Sequence, residues 1–276
     1  MRRHLFLLII ALMACLDASM ARTVKILAIG NSFSEDAIEQ NLHELAAADG
    51  ISAVVGNLYI GGCSLEHHMQ CVNDNKPEYR YRKIDANGQM RETPHCTVEQ
   101  GLADDDWDYV SIQQASHFSG LYNTYQPYLE QLVAYIRQHT KKGVKIVFHQ
   151  TWAYAQDATH WGFKSYAGSQ QQMFQAIVAA TKHVVKDIHP DVVVPAGTAI
   201  QNARTSALGD NLTRDGYHLN LLYGRYTAAC TWYEAIFRRT VVGNSYAPQG
   251  ISPEQKDIAQ RAAHAAVKHR YKVTQL

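Results

Sequence analysis

Val24-Lys25-Ile26-Leu27-Ala28-Ile29 is a short apolar run that stops at Gly30 and passes straight into Asn31-Ser32-Phe33-Ser34. A continuous apolar run of this length, ended by glycine, reads as a strand buried on both faces. The residues that follow change period. Ile38, Leu42 and Leu45 fall at helical spacing within 36–48, and Asp49-Gly50 stops the pattern. The alternation repeats outward from this unit. Strand signals lie at 51–60, 107–112, 144–148 and 191–195, and helical signals at 125–140, 170–188, 219–238 and 251–269. Strands separated by helices make βαβ units and a parallel sheet covered on both faces. The fold expected is therefore α/β, a three-layer α/β/α sandwich on a five-stranded parallel sheet. Residues 65–102 interrupt it. Within them, 79–84 and 89–92 flank Asp85-Ala86-Asn87-Gly88, the pattern of a β-hairpin excursion from one domain spanning 22–276.

The chain has 276 residues, with 26 Lys+Arg against 25 Asp+Glu. That balance excludes a nucleic-acid partner held by bulk positive charge. A hydrophobic content of 46 % with 18 % charged residues excludes a disordered chain. Met1-Arg2-Arg3-His4 followed by the apolar residues 5–14 reads as an export signal, too short to cross a bilayer. Two processing routes fit. Ser19-Met20-Ala21 offers cleavage after Ala21, and Leu12-Met13-Ala14-Cys15 resembles a lipobox that would leave a lipid anchor on Cys15. Met13 matches the lipobox imperfectly, which favours cleavage. Removing 1–21 takes Arg2, Arg3 and Asp17 away and leaves the remainder near neutrality. The product is expected to be periplasmic or secreted, or else an outer-membrane lipoprotein, with no transmembrane span.

Cys63, Cys71, Cys96 and Cys230 remain. An oxidising compartment permits disulfides, and Cys71 with Cys96 would staple the insertion, but four cysteines allow three pairings. Cys63-x3-His67-His68-x2-Cys71 has a metal-like spacing without the usual C-x2-C pair, so no metal is assigned.

Ligands in open parallel sheets bind beyond the carboxyl ends of the strands. The residues there are Gly30-Asn31-Ser32, Gly61-Gly62-Cys63-Ser64, Gln113-Gln114-Ala115-Ser116 and His149-Gln150-Thr151-Trp152, with Asp215-Gly216-Tyr217-His218 before a helix. A hydroxyl, backbone and amide donors, and an Asp/His pair are what acyl transfer requires.

Gly30-Asn31-Ser32-Phe33-Ser34 and Asp215-Gly216-Tyr217-His218 together resemble the first and last blocks of the SGNH (GDSL-type) hydrolase superfamily. Gly61-Gly62-Cys63-Ser64-Leu65-Glu66-His67 and Trp107-Asp108 with Gln113-Gln114-Ala115-Ser116 are similar to an exported bacterial branch of it, catalogued mainly as a domain of unknown function. The resemblance covers about 24–238. It implies a flavodoxin-like sandwich with Ser32 as nucleophile, His218 as general base and Asp215 as the residue that orients it. The Ser32 and Gly62 N–H groups would bind the oxyanion. The superfamily's third-block Asn is absent. Gln113 or Gln114 would replace its amide, with Gln113 preferred, and Asn31 stands where an Asp is usual.

The function expected is an exported serine esterase, free of cofactors, that acts on an acetyl or methyl ester of a carbohydrate through an acyl-serine intermediate. The partner is then a small-molecule or polysaccharide ester. A lipase or thioesterase on the same residues, and a non-catalytic glycan-binding protein, are the alternatives. His67, His68, His149 and His160 read as ordinary surface or loop histidines, yet His149 and Trp152 follow a strand end and, with Asn31, are further candidates to line the cleft. The loop 149–166 carries Trp152, Tyr154, Trp161, Phe163 and Tyr166, which form either an apolar lid on the core or a sugar-stacking wall.

Overall fold

The computed structural model describes residues 22–276. The export segment, Cys15 and the cleavage point after Ala21 lie outside the described residues. The strands are β1 (Val24–Gly30), β2 (Ala53–Tyr59), β3 (Tyr79–Ile84), β4 (Met90–Cys96), β5 (Tyr109–Ile112), β6 (Lys145–His149) and β7 (Val192–Val194). The helices are α1 (Ser32–Ile38), α2 (Leu42–Ala48), α3 (Leu65–Asn73), α4 (Val98–Ala103), α5 (Tyr128–Gln138), α6 (Gln170–Ile188), α7 (Ala196–Arg204), α8 (Tyr223–Phe237) and α9 (Pro253–Lys268).

All seven strands form one sheet in the order β4-β3-β2-β1-β5-β6-β7. β2, β1, β5, β6 and β7 are parallel. β1 alternates its side chains between two cores. Ile26 and Ala28 pack with Phe33, Leu42, Leu45, Trp152 and Trp232 on one face; Leu27 and Ile29 pack with Leu65, Trp107, Leu129 and Leu132 on the other. That alternation makes three layers, because each face of a buried strand needs its own apolar cover.

The expected five strands are seven. The hairpin does not stand away from the sheet as an excursion. β3 pairs antiparallel with β2, from Val55↔Ile84 to Tyr59↔Arg80, and β4 pairs with β3. A five-stranded sheet would leave the outer N–H and C=O groups of β2 open, and β3 takes them up. The new edge, β4, is exposed over its first six residues and carries Arg91, Glu92 and Pro94, which discourage further pairing. The single helix expected over 36–48 is also divided. α1 begins four residues earlier and ends at Ile38. Asn41 then turns the chain in the left-handed region, at φ 70°, and α2 follows. Asn tolerates that region better than most residues. α3 and α4, inside the insertion, and α7 have no counterpart among the sequence expectations.

Among the parallel strands alone the order runs second, first, third, fourth, fifth. The direction of winding therefore reverses between β1 and β5, the place where such sheets open a crevice. Ser32 follows β1 there, and Gln113 follows β5.

Candidate active site

Ser32 is the first residue of α1. Asn31 caps that helix, its Oδ1 accepting from the Phe33 N–H at 2.9 Å. Gly30 must be glycine, since a Cβ there would lie 2.4 Å from Ser34 Oγ. The Ser32 N–H has no protein partner among the described residues. The helix start therefore offers a free donor beside the hydroxyl.

Asp215 and His218 lie on a tight loop closed by the Thr213↔Leu219 bridge. Asp215 Oδ2 is 2.6 Å from His218 Nδ1, and its Oδ1 accepts from the His218 N–H at 2.7 Å. His218 Nε2 is 2.9 Å from Ser32 Oγ. Partial burial raises the Asp215 carboxyl. The hydrogen bonds from the His218 side chain and from the His218 and Tyr217 N–H groups outweigh it, and the net shift is downward. The carboxylate thus stays ionised at neutral pH, fixes the proton on Nδ1, and leaves Nε2 free to take one from Ser32.

One residue unrecognised in the sequence pins this loop to α1. Asp36, one turn along α1 from Ser32, is fully buried. Its carboxylate accepts from Leu219 N–H at 2.8 Å, Arg225 Nε at 2.8 Å and Arg214 Nη1 at 3.0 Å. Arg214 and Leu219 flank the Asp215–His218 turn on either side. No local signal marked it, since a helix over 36–48 puts Asp36 opposite the Ile38, Leu42 and Leu45 stripe, and its partners lie at 214, 219 and 225.

The amides form a second, buried chain whose orientation follows from backbone groups that have no choice of role. Asn31 Nδ2 donates to Cys63 C=O at 3.0 Å while its Oδ1 faces the Phe33 N–H. Asn31 Oδ1 must then accept from Gln113 Nε2, at 2.8 Å. Gln113 Oε1 is left facing His149 Nδ1 at 2.7 Å, so that nitrogen carries the proton. One Nε2 hydrogen of Gln113 remains uncommitted. An Asp at 31 would present an oxygen to the Cys63 carbonyl, so this geometry calls for Asn. Gln114 is spent elsewhere. Its Oε1 accepts from Leu65 and Ala115 N–H, and its Nε2 bonds Thr124 O and Oγ1 at 3.0 and 3.2 Å. Gly62 takes the left-handed φ of 65°, which glycine adopts without strain, and its N–H has no protein partner among the described residues.

Three residues expected at the cleft surface are not there. Asn31 and His149 are 1 % exposed and Trp152 is wholly buried. Trp152 stacks on Phe33 at 4.2 Å and donates from Nε1 to Tyr217 C=O at 2.8 Å, so it backs the site. Burial pushes His149 down to about 3, leaving it neutral. The loop 149–166 divides in the same way. Tyr154, Phe163 and Tyr166 join Trp152 in the core, and Trp161 stays outside.

The four cysteines among the described residues are free, buried thiols, so the Cys71–Cys96 staple is not formed. The metal-like run splits on the helix. His68 turns inward, with Nδ1 2.7 Å from Tyr79 OH and 3.3 Å from Cys63 Sγ. His67 and Cys71, one turn apart, meet Glu78, with donor atoms within 4.8 Å of one another. Among the described residues these three are the group of His, Cys and carboxylate side chains that could hold a cation.

No curated protein matches the chain. A crystal structure of a DUF4886 family protein from Bacteroides uniformis is 52 % identical, with a TM-score of 0.91 over 92 % of this chain and 98 % of that one. A candidate SGNH hydrolase from Slackia heliotrinireducens is 19 % identical, with a TM-score of 0.54 over 78 % of this chain and all of that one. An acetylxylan esterase from Geobacillus stearothermophilus is 13 % identical, with a TM-score of 0.50 over 83 % and 99 %. The family model described as Domain of unknown function (DUF4886) matches residues 25–266. The chain therefore belongs to the DUF4886 family, built on the fold of the SGNH hydrolases.

Proposed function

We propose that the protein is an exported serine esterase that removes a small acyl or alkyl ester group, acetyl or methyl, from a carbohydrate. The observation that carries this is the unbroken chain from Asp215 through His218 to Ser32, at 2.6 and 2.9 Å. Glycan binding alone has no use for a base and its orienter.

In the reaction Ser32 Oγ attacks the ester carbonyl carbon as its proton passes to His218 Nε2. The oxyanion that forms is met by the Ser32 and Gly62 N–H groups and the uncommitted Gln113 Nε2 hydrogen. The intermediate collapses, the C–O bond to the alcohol breaks, and that alcohol leaves with the proton from His218. Water activated by the same imidazole then attacks acyl-Ser32 and releases the acid. The acid-forming part is the acetyl group in one case and the uronate in the other. The cleft beside Asp215, lined by Asp157, Thr159, Asp210 and Asn211, suits hydroxyl groups and disfavours a long acyl chain. The structurally similar acetylxylan esterase is consistent with an acyl sugar. Export would follow the signal at 1–21, with cleavage after Ala21 or lipidation at Cys15.

The test is labelling with a fluorophosphonate and hydrolysis of 4-nitrophenyl acetate. Wild type is expected to label and turn over, and Ser32→Ala to do neither, with kcat reduced by about 10⁴ or more. Equal labelling of the two would falsify the assignment of Ser32.

A further inference from the structure

The large apolar side chains left exposed include Met90, Trp161, Leu221 and Val242, and Trp161 is the most open, at 64 %. It belongs to a continuous row of rings. The Tyr217 ring lies 4.2 Å from that of His218 and 5.0 Å from that of His160. His160 lies 5.5 Å from Trp161 and inclined to it by 28°, and His117 closes the row at 4.8 Å from Trp161. Tyr217 meets His160 edge-on at 64° and His117 is tilted 54° to Trp161, so the rings lead from the base of the triad, in changing orientations, to an indole in water. Burial, then the neighbouring His160, pushes His117 down to about 4; burial, then His218, lowers His160. Both imidazoles are thereby held toward their neutral forms. Neutral rings with polar edges receive the C–H faces of a sugar while its hydroxyls stay wet.

The same loops carry the second observation. Residues just before His160 and around Asp215 line a cleft of about 510 Å³ that includes Asp157, Asp210 and Asp215. The cation at this cleft, Arg214, is committed to Asp36 at 3.0 Å. Asp210 is paired with Arg204 at 2.7 Å and Asp215 with His218 at 2.6 Å, so Asp157 is the carboxylate left at this cleft to accept from a sugar hydroxyl and to repel a free carboxylate of a uronate chain.

We infer that the Tyr217–His160–Trp161 row and the acidic cleft are glycan subsites, and that the substrate is a neutral O-acetylated oligo- or polysaccharide. A ring next to the acylated one lies on Trp161. A free sugar ester would not reach that platform, and the unesterified carboxylates of a partly methyl-esterified polyuronate would meet like charge at Asp157. The inference rests on the esterase reading for its acyl group only.

The experiment compares acetylated xylooligosaccharides, methyl-esterified polygalacturonate and 4-nitrophenyl acetate as substrates of wild type, Trp161→Ala and Trp161→Tyr. In Trp161→Ala the ratio of kcat/KM on the acetylated oligosaccharide to that on the nitrophenyl ester should fall about tenfold, mainly through KM, and Trp161→Tyr should recover most of it. An unchanged ratio, or faster methanol release from the polyuronate than acetate release from the xylooligosaccharide, overturns the inference. A binding arm separates it from the esterase reading. Ser32→Ala protein should bind the acetylated oligosaccharide in a calorimetric titration, and Ser32→Ala/Trp161→Ala should bind it about tenfold more weakly. Loss of the subsite with Ser32-dependent nitrophenyl acetate hydrolysis intact removes this inference alone. Trp161-dependent binding without any Ser32-dependent turnover removes the esterase and keeps the subsite.

Discussion

The Asp215–His218 loop and the Asn31–Gln113–His149 chain serve one crevice in opposite ways. The loop is close to water, with the Asp215 side chain 39 % exposed and His218 19 %, and its two residues are three apart in sequence. The amide chain is almost wholly buried and is assembled from the ends of β1, β5 and β6. In the proposed reaction the difference follows from what each group would have to do. A base changes charge during turnover and gains from nearby solvent and a carboxylate. A dipole that stabilises a transient anion must not reorient, and burial with every other hydrogen bond committed keeps it fixed.

The comparison breaks first at the loop. His218→Ala should cost about 10⁴ or more in kcat on 4-nitrophenyl acetate, and Asp215→Ala less, since the base survives without its orienter. Steady-state kinetics with circular dichroism as a folding control decides it. Loss of a few fold only in His218→Ala would mean that the loop is not the proton carrier.

The buried chain should give a smaller loss with a distinctive coupling. Gln113→Ala is expected to lower kcat by about 10²–10³. His149 acts through Gln113 as a positioning residue, because its Nδ1–H holds the amide oxygen away from the oxyanion. His149→Leu should therefore lower kcat more than it raises KM, and His149→Asn, which keeps a donor, should restore most of it. Combined with Gln113→Ala, His149→Leu should cost nothing further. Additive losses would show that His149 acts by another route.

The smallest effect is on stability. Burial pushes His149 to about 3, and burial with His67 alongside pushes His68 to about 3. In the unfolded chain both take up protons near 6.5, while in the fold they stay neutral. The unfolded state then binds more protons between about pH 6.5 and 3, so stability falls as pH falls through that window, by about 2 kcal/mol per residue at most between pH 7 and 5. Denaturant titrations at the two pH values measure it. Equal stabilities would contradict neutral, buried imidazoles.

Much of this was legible before any coordinates. Gly30-Asn31-Ser32 after an apolar run, and Asp215-x-x-His218 before a helix, are local patterns, and the structure places both at the crevice. β1 and α6 lie where periodicity puts them, since the signals of a buried run and of a 19-residue amphipathic helix are intrinsic to the segment. The break at Asn41 was not legible, because Ile38, Leu42 and Leu45 keep helical spacing across it. Nor was the hairpin's destination. Tyr79–Ile84 has the alternation of a strand, but pairing with β2 is a choice made by an edge that exists only once the sheet forms.

The site divides along the same line. Sequence by itself singled out Ser32, His218 and Asp215 as candidates, because a hydroxyl at a strand–helix turn and a histidine three residues from a carboxylate are set by short-range backbone geometry. It preferred Gln113 to Gln114 without a packing reason, offered His149 and Trp152 as residues lining the cleft, and gave Asp36 no partners. Tertiary structure decided those, since an amide's role depends on which of its two ends is already bonded. Here that is fixed by Cys63 C=O and Phe33 N–H for Asn31, and through Asn31 for Gln113. Burial likewise depends on what packs above a residue, and for Trp152 that is Phe33 of the nucleophile helix.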